Sequence, residues 1–437
     1  MKYYHIITYG CQMNVADSER MAHQLEEVGY VETADVDQAD LIIINTCAVR
    51  ENAEITTYGK IGELKKNKMK NPNLILAITG CMAQKNQADM FKKAPHIDIV
   101  LGTHNLKHIN EMIEEVAHTK KHQINVDMDN TVFHELEAKP SGTFSAWVPI
   151  NNGCNKFCTY CIVPHVRGRE ISRPLEAIVA DVTKLGAQGY KEITLLGQNV
   201  NSYGLDFKDR TDFGTLVTAL DHIPGVERIR YMTSHPQDMT KAMIDTMAAS
   251  SNICHMMHLP LQSGSPEILR RMNRKYSLDW YKELVAYARD KMPDLVMTTD
   301  IIVGFPGEKE EDFQMTLEAL KEIRYDMVYS FIYSKRSGTP AAEFGDQVDE
   351  EVKRVRLQTL MDVQNEISYE RNQPMEGQTF DIIVEGPSKR NEHMWFGRTD
   401  GNKMILFPED PDLRVGDTVK AKVDKAQTWV LYGTIQK

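Results

Sequence analysis

Three cysteines, Cys154, Cys158 and Cys161, fall within NNGCNKFCTYCIVP, the stretch from Asn151 to Pro164. Their C-x3-C-x2-C spacing lets three thiolates converge on one inorganic centre from a single tight loop. Three thiols cannot all pair with one another as disulfides. Iron–sulfur clusters are held by Cys thiolates, and most four-iron clusters take four of them. A local count of three leaves one iron open to a ligand that is not protein. The next candidate, His165, follows Pro164 and sits four residues past Cys161. Structural zinc wants four closed ligands, usually in C-x2-C pairs, and fits this spacing poorly. Chance clustering is the bland alternative. With 7 Cys in 437 residues, three inside eight positions speak against it.

The other cysteines need the elements around them. Residues 1 to about 145 alternate strand and helix signals. Tyr4–Tyr9 is strand-like and ends at Gly10-Cys11, and Leu41–Ile44 ends in Asn45-Thr46-Cys47. Leu74–Ile78 ends in Thr79-Gly80-Cys81, and Ile97–Leu101 follows. Helical patterns run from Ala16 to Val28, through Leu64, and from about Asn105 to Val116. Such alternation predicts a parallel sheet with helices on its faces. Cys11, Cys47 and Cys81 then all sit just past strand C-termini, the edge where α/β folds place ligands. They are 36 and 34 residues apart in the chain, yet would meet in space. Singly, each reads as a buried small hydrophobe. Three at equivalent positions read as a second cluster site, built from strand ends.

Residues 120–145, with Pro140-Ser141-Gly142, read as a linker. Strand candidates then recur at Ala146–Ile150, Glu192–Leu196, Arg228–Met232, Met256–Leu261, Val296–Val303 and Met327–Tyr333, with helices such as Pro174–Leu185 and Asp312–Ile323 between them. Six βα units predict a partial parallel barrel open on one side, with its chemistry on the loops after the strands. The cysteine loop, Gly197-Gln198-Asn199, Gln262-Ser263-Gly264 and Gly304-Phe305-Pro306-Gly307 all fall there. Glycine lets backbone approach a ligand, and Gln, Asn and Ser offer donors and acceptors. Asp300 needs a partner if it points inward. Cys254 reads as a core thiol, and His235, His255 and His258 as structural histidines. After a charged helical stretch over 343–372, short strands at Thr379–Val384, Met394–Gly397, Lys403–Phe407, Asp417–Val423 and Thr428–Ile435 predict a small antiparallel barrel. Gly386-Pro387 and Asp400-Gly401 read as turns between them. The fold class is α/β, with units expected at 1–140, 141–372 and 373–437.

No stretch approaches 18 apolar residues, and the first ten residues run straight into a strand without a signal-peptide pattern. A cytoplasmic monomer with reduced thiols is expected. The net charge of −11 argues against a generally basic nucleic-acid coat. Local patches differ. Lys156, Arg167, Arg169 and Arg173 face only Glu170 over 151–174, and Arg270, Arg271, Arg274 and Lys275 face only Glu267. From charge alone, ordinary solvated faces are the better explanation of such patches.

The C-x3-C-x-aromatic-C pattern, with Tyr160 as the aromatic, resembles the signature of the radical S-adenosylmethionine enzymes. The resemblance implies a [4Fe–4S] cluster on Cys154, Cys158 and Cys161 whose open iron binds S-adenosylmethionine and cleaves it to a 5′-deoxyadenosyl radical. It also implies cofactor contacts at Tyr160, Gln198, Asn199, Gln262, Ser263, Gly264 and Gly304. The C-terminal strands resemble a TRAM domain, an RNA-binding add-on.

The three pieces in this order resemble the methylthiotransferases. The matching stretches are Gly10–Asn14, Asn45–Arg50, Gly80–Gln84, Pro164–Arg169 and Ser172–Pro174, and Cys11-Gln12-Met13-Asn14 is similar to the tRNA-modifying MiaB branch. The resemblance implies a second [4Fe–4S] cluster on Cys11, Cys47 and Cys81. It implies methylthiolation at carbon 2 of N6-isopentenyladenosine at tRNA position 37. One S-adenosylmethionine would donate methyl to sulfur at the auxiliary cluster, and a second would supply the radical. The partners would be a tRNA anticodon stem-loop and a small reducing protein of flavodoxin or ferredoxin type. Arg167, Arg169, Arg270, Arg271, Arg274 and Lys275 are the expected RNA contacts, and no side chain is assigned as a general acid or base. Sister branches act on threonylcarbamoyl-adenosine or a ribosomal-protein aspartate. A non-catalytic RNA-binding iron–sulfur protein is the alternative of a different class.

Overall fold

A computed structural model describes residues 1–48, 51–128 and 136–436. Val49 and Arg50 of the Asn45–Arg50 stretch, and part of the expected linker, lie outside the described residues.

The first unit is a six-stranded parallel sheet. Its strands are β1 (Lys2–Thr8), β2 (Tyr30–Glu32), β3 (Leu41–Thr46), β4 (Ile75–Gly80), β5 (Ile99–Leu101) and β6 (Gln123–Asn125), ordered β2-β1-β3-β4-β5-β6. Strands β3 and β4 are buried along their whole length, which is why they read as unbroken apolar runs. Helices α1 (Gln12–Glu27), α2 (Glu51–Lys70), α3 (Cys81–Asn86), α4 (Asp89–Lys93) and α5 (Ile109–Thr119) cover the faces. Met21 and Leu25 of α1 and Ile113 of α5 pack on Tyr4, Leu41 and Ile43. Ile61 and Leu64 of α2 pack on Ile42, Ile44 and Ile78 from the other side. The strand period of two sorts these isoleucines between the faces. Strand β6 corrects the reading of 120–145 as plain linker. Edge strands β2 and β6 have three residues each, too few to show alternation.

The second unit begins with β7 (Ser145–Pro149), β8 (Asn151–Asn152), α6 (Val163–Val166), β9 (Ile171–Ser172), α7 (Leu175–Ala187), β10 (Glu192–Leu196), α8 (Phe213–Leu220) and β11 (Arg228–Tyr231). It continues with α9 (Lys241–Ala249), β12 (Met256–His258), α10 (Pro266–Arg271), α11 (Leu278–Lys291), β13 (Val296–Val303), α12 (Glu310–Ile323) and β14 (Met327–Ile332). Two parallel sheets, β7-β10-β11 and β12-β13-β14, are joined by a bridge from Ile229 to Ile253. The result is six parallel strands in an arc, with no pairing between β7 and β14 among the described residues. Strand β12 stops earlier than expected. Pro260 brings no N–H to the ladder, and Gln262 takes a left-handed φ of 71° before one last bridge to Ile301. Helix α1 of the first unit packs on the arc through Met13 and Ala16, which meet Leu196, Trp147 and Met232.

Helix α13 (Glu350–Asn372) leads to β15 (Thr379–Ser388), β16 (Asn391–Arg398), β17 (Met404–Pro408), β18 (Thr418–Ala426) and β19 (Leu431–Gln436), a closed barrel ordered β15-β16-β17-β19-β18. One pairing, β17 with β19, is parallel, where all were expected antiparallel. Gly386-Pro387 is no turn. It lies inside β15, at register shifts where a bulge tolerates proline. The barrel docks on the N-terminal ends of the central strands. Arg228 donates to the carbonyls of Asp381 and Arg398, Arg230 to those of Thr399 and Asp400, and Lys403 pairs with Asp326. This is the end opposite the cysteines. Among the described residues no helix is long and apolar enough to cross a membrane.

Candidate active site

None of the seven cysteines forms a disulfide. Cys11 is exposed at the N-terminus of α1, Cys47 follows β3, and Cys81 opens α3 directly after β4. The residues around them explain the Gly-Cys pairs. Gly10 has φ 144°, and a Cβ there would lie 2.8 Å from that of Cys47 and 2.6 Å from Asn14 Oδ1. Gly80 has φ 89°, and a Cβ there would lie 2.4 Å from the Thr46 carbonyl. Only glycine lets these strand ends close on one another. Asparagines lock the arrangement. Asn14 Nδ2 donates to Asn45 Oδ1 (2.9 Å) and the Thr46 carbonyl (3.2 Å), and Asn45 Nδ2 returns a bond to the Asn14 carbonyl (2.7 Å).

The second triplet is held by its loop and by the end of α10. The Cys161 amide donates to the Cys158 carbonyl (2.9 Å), and the Cys154 amide to that of Gly168 (3.2 Å). Thr159 Oγ1 donates to the Arg271 carbonyl (2.9 Å), and Asn273 Nδ2 to that of Phe157 (2.9 Å). Burial pushes the Cys154 thiol up to about 12 and the Cys161 thiol up to about 11, and raises Cys81 as well. Thiols so disfavoured as anions need a cation before they can serve as thiolates.

The whole loop triplet and, from the strand-end triplet, Cys11 line one cavity of about 720 Å³. Cys11 and Met13 line one side, and Cys154, Cys158 and Cys161 another. Cys81 packs with Ile162 and Val166, just past the loop triplet. Of the expected cofactor contacts, Tyr160, Gln198, Asn199 and Gln262 line the cavity. Gln198 Oε1 also accepts from the Gly153 amide (2.5 Å), which ties the turn after β10 to the cysteine loop. The remaining three, Ser263, Gly264 and Gly304, do not line it. Ser263 and Gly264 face α12, where the Gly264 amide donates to Thr316 Oγ1 (3.0 Å) and a Cβ on Gly264 would lie 2.6 Å from Thr316 Cα. Gly304 is packed beneath Lys353 of α13.

The cavity wall fits a polar, donor-rich ligand. Asn199 Oδ1, Gln262 Oε1, Ser234 Oγ, His235 Nε2 and the Tyr333 hydroxyl belong to cavity-lining residues, are buried, and have no protein partner. Buried polar atoms are ordinarily satisfied, so these fit an amino acid or nucleoside. Three thiols beside them fit a cluster with one open iron. Among the described residues no three His, Cys, Asp or Glu side chains gather on a single-ion position, as thiols for separate irons need not.

The expected RNA contacts divide sharply. Arg167 is 2% exposed and pairs with Asp17 of α1 (2.7 Å), so it joins two units and is not at the surface. Arg274 is buried behind Cys158. Arg271 is bound to Asp346 (2.7 Å), and Arg270, although exposed, to Glu267 (2.6 Å). Arg169 is exposed and stacks on the Phe157 ring at 4.3 Å, and Lys275 is exposed. Charge counting cannot see such pairings, because Asp17 and Asp346 lie far away in sequence. His235 and Asp300 line the cavity too. Their places after β11 and inside β13 were the only signal.

Family models match the same three stretches. Residues 3–102 match the uncharacterized protein family UPF0004, 148–320 the radical SAM superfamily, and 373–435 the TRAM domain. A relative from Acetivibrio thermocellus, named tRNA-2-methylthio-N(6)-dimethylallyladenosine synthase, is 47% identical over 99% of this chain and 91% of its own. One of the same name from Carboxydothermus hydrogenoformans is 47% identical over 99% of both chains.

The chain belongs to the tRNA-2-methylthio-N(6)-dimethylallyladenosine synthase family.

Family membership makes this a radical S-adenosylmethionine enzyme of the methylthiotransferase type. Among solved structures, the radical S-adenosylmethionine methyltransferase TsrM of Kitasatospora setae overlays with a TM-score of 0.60 at 13% identity, over 78% of this chain and 75% of that one. At that identity the likeness is one of fold alone.

Proposed function

We propose that this enzyme replaces the hydrogen on carbon 2 of N6-isopentenyladenosine at tRNA position 37 with a methylthio group. The observation that carries the proposal is the single cavity lined by Cys11 and by the whole loop triplet. An electron carrier needs neither an open iron nor such a cavity, which speaks against a non-catalytic role.

Cys154, Cys158 and Cys161 would hold one [4Fe–4S] cluster and Cys11, Cys47 and Cys81 another. When bound, the first with S-adenosylmethionine supplies a 5′-deoxyadenosyl radical, and the second presents the sulfur that a further S-adenosylmethionine methylates. The protein's part is binding, orientation and exclusion of water. Gln198, Asn199 and Gln262 offer amide groups to the cofactor, and Tyr160 packs edge-on to Phe305 (6.4 Å) to wall the cavity beside the loop. Asp238 fixes two of the neighbours, accepting from Lys156 (2.5 Å) and Asn199 (2.6 Å). The buried Arg167–Asp17 pair holds the strand-end triplet in register with the loop triplet. The target base must leave its stack to reach the cavity, at a cost of a few kcal/mol at most for a loop nucleotide, roughly. Arg169 with Phe157, and Lys275, are the exposed groups that would meet the anticodon stem-loop, and the C-terminal barrel adds RNA contacts farther off.

The working units are 1–140, 141–372 and 373–437, acting as a cytoplasmic monomer with a flavodoxin- or ferredoxin-type reductant. The test is anaerobic incubation of reduced enzyme with S-adenosylmethionine and tRNA carrying isopentenyladenosine, followed by nucleoside mass spectrometry. The expected product carries one methylthio group in place of hydrogen. Product only with threonylcarbamoyl-adenosine tRNA, or none with either tRNA, would overturn the assignment.

A further inference from the structure

Arg274, just past α10, is a buried cation that no carboxylate neutralises among the described residues. It is 7% exposed. Four other buried arginines pair with carboxylates: Arg167 with Asp17, Arg173 with Asp181, Arg230 with Glu192 and Arg356 with Glu308. Arg228 is met by two carbonyl oxygens of the C-terminal barrel. Arg274 instead aims its fork at the loop triplet. Nε donates to the Tyr276 hydroxyl (2.8 Å) and Nη2 to the Pro260 carbonyl (2.5 Å). Those two bonds fix the plane of the guanidinium and leave Nη1 against Cys158 Sγ at 3.5 Å. The Tyr276 ring lies 5.2 Å from the guanidinium carbon.

A buried unpaired charge is costly, and an anion on the remaining side offsets part of that cost. Cys158 belongs to the triplet that would hold a four-iron cluster through three thiolates. A [4Fe–4S] core with three thiolates carries net negative charge, and one-electron reduction adds one more. In a low-dielectric wall a fixed cation at hydrogen-bond distance favours the more negative state. Hydrogen bonds to sulfur and local charge are established levers on cluster potential. The neighbouring cations are weaker at this task. Lys156 is neutralised by Asp238, and Arg336 is only half-buried and donates to the Tyr160 carbonyl (3.2 Å).

We propose that Arg274 is the charge-compensating residue of the loop cluster, donating to the Cys158 sulfur and making the reduced state easier to reach. This rests on the reading that Cys154, Cys158 and Cys161 hold a four-iron cluster. The test uses full-length protein carrying Cys11→Ala, Cys47→Ala and Cys81→Ala, so that only the loop site contributes iron. Iron content and the reduced fraction, read by electron paramagnetic resonance at fixed solution potentials, are measured with Arg274, Arg274→Met and Arg274→Lys. The expected result is about four irons in each. The Met variant should show at least a tenfold lower ratio of reduced to oxidised cluster, a shift of about 59 mV for one electron. The Lys variant should stay within threefold of Arg274. If the Met variant loses its iron, recovery of iron in the Lys variant supports the same role, and loss in both overturns it. An unchanged ratio in an iron-replete Met variant overturns the role of Arg274 and leaves the cluster reading intact. No iron in the background with Arg274 present overturns both.

Discussion

Cys154, Cys158 and Cys161 come from one loop, whereas Cys11, Cys47 and Cys81 come from three strand ends that are 36 and 34 residues apart. The loop triplet is held by short-range amide bonds and by the end of α10. The strand-end triplet is held by a parallel sheet, by Gly10 and Gly80, and by paired asparagines. The first brings its thiols together within one loop, which α10 and Asn273 brace. The second exists only once a whole domain has folded. Each therefore fails differently, and the failures separate their tasks.

The largest separation is expected from replacing each triplet with alanines. The loop variant should lose both cleavage of S-adenosylmethionine and methylthio product. The strand-end variant should still form 5′-deoxyadenosine and make no product. Chromatography of 5′-deoxyadenosine beside nucleoside mass spectrometry decides it, and loss of cleavage in both variants would break the division of labour.

The link between the triplets comes next. Asp17→Asn leaves Arg167 buried without its partner, which costs about 3–5 kcal/mol for a desolvated pair. Denaturant unfolding should show that loss, and iron should fall at the strand-end site first, because Asp17 lies on the helix that Cys11 opens. Loss confined to the loop site would contradict the comparison.

The exposed cations should matter less and in another way. Arg169→Ala and Lys275→Ala should each weaken tRNA binding and reduce its salt slope by about 1. Arg270→Ala should change the slope less, since Glu267 already neutralises it.

The smallest effect is on pH dependence. Burial lifts the Glu170 carboxyl to about 7, although Ser202 donates to it. The folded state therefore holds a proton that the unfolded chain gives up near the ordinary carboxylate value, and stability falls as pH rises from there through about 7. Glu170→Gln should flatten the fall in melting temperature between about pH 5 and pH 7. An equally steep fall in the variant would exclude Glu170 as its source.

The same contrast explains what the sequence disclosed. The loop triplet was legible from spacing alone, and the strand-end triplet once apolar runs had been assigned to strands. The six central strands and the small barrel followed from periodicity. The arginines were not legible, because Asp17, Asp346 and Pro260 become neighbours of Arg167, Arg271 and Arg274 only through tertiary packing. Gly264 and Gly304 resembled ligand-approach glycines, yet their missing side chains admit α12 and α13. Strands as short as β6, and the parallel closure of β17 on β19, leave too few residues to carry a pattern.

The central claim is that two independent clusters face one cavity. Its most direct test is iron and sulfide content with electron paramagnetic resonance on anaerobically purified protein, comparing the wild type with each triple-alanine variant. About eight irons in the wild type and about four in either variant are predicted. About four in the wild type and none in the loop variant would mean that the strand-end cysteines bind no cluster, and the sulfur-insertion chemistry would lose its physical basis.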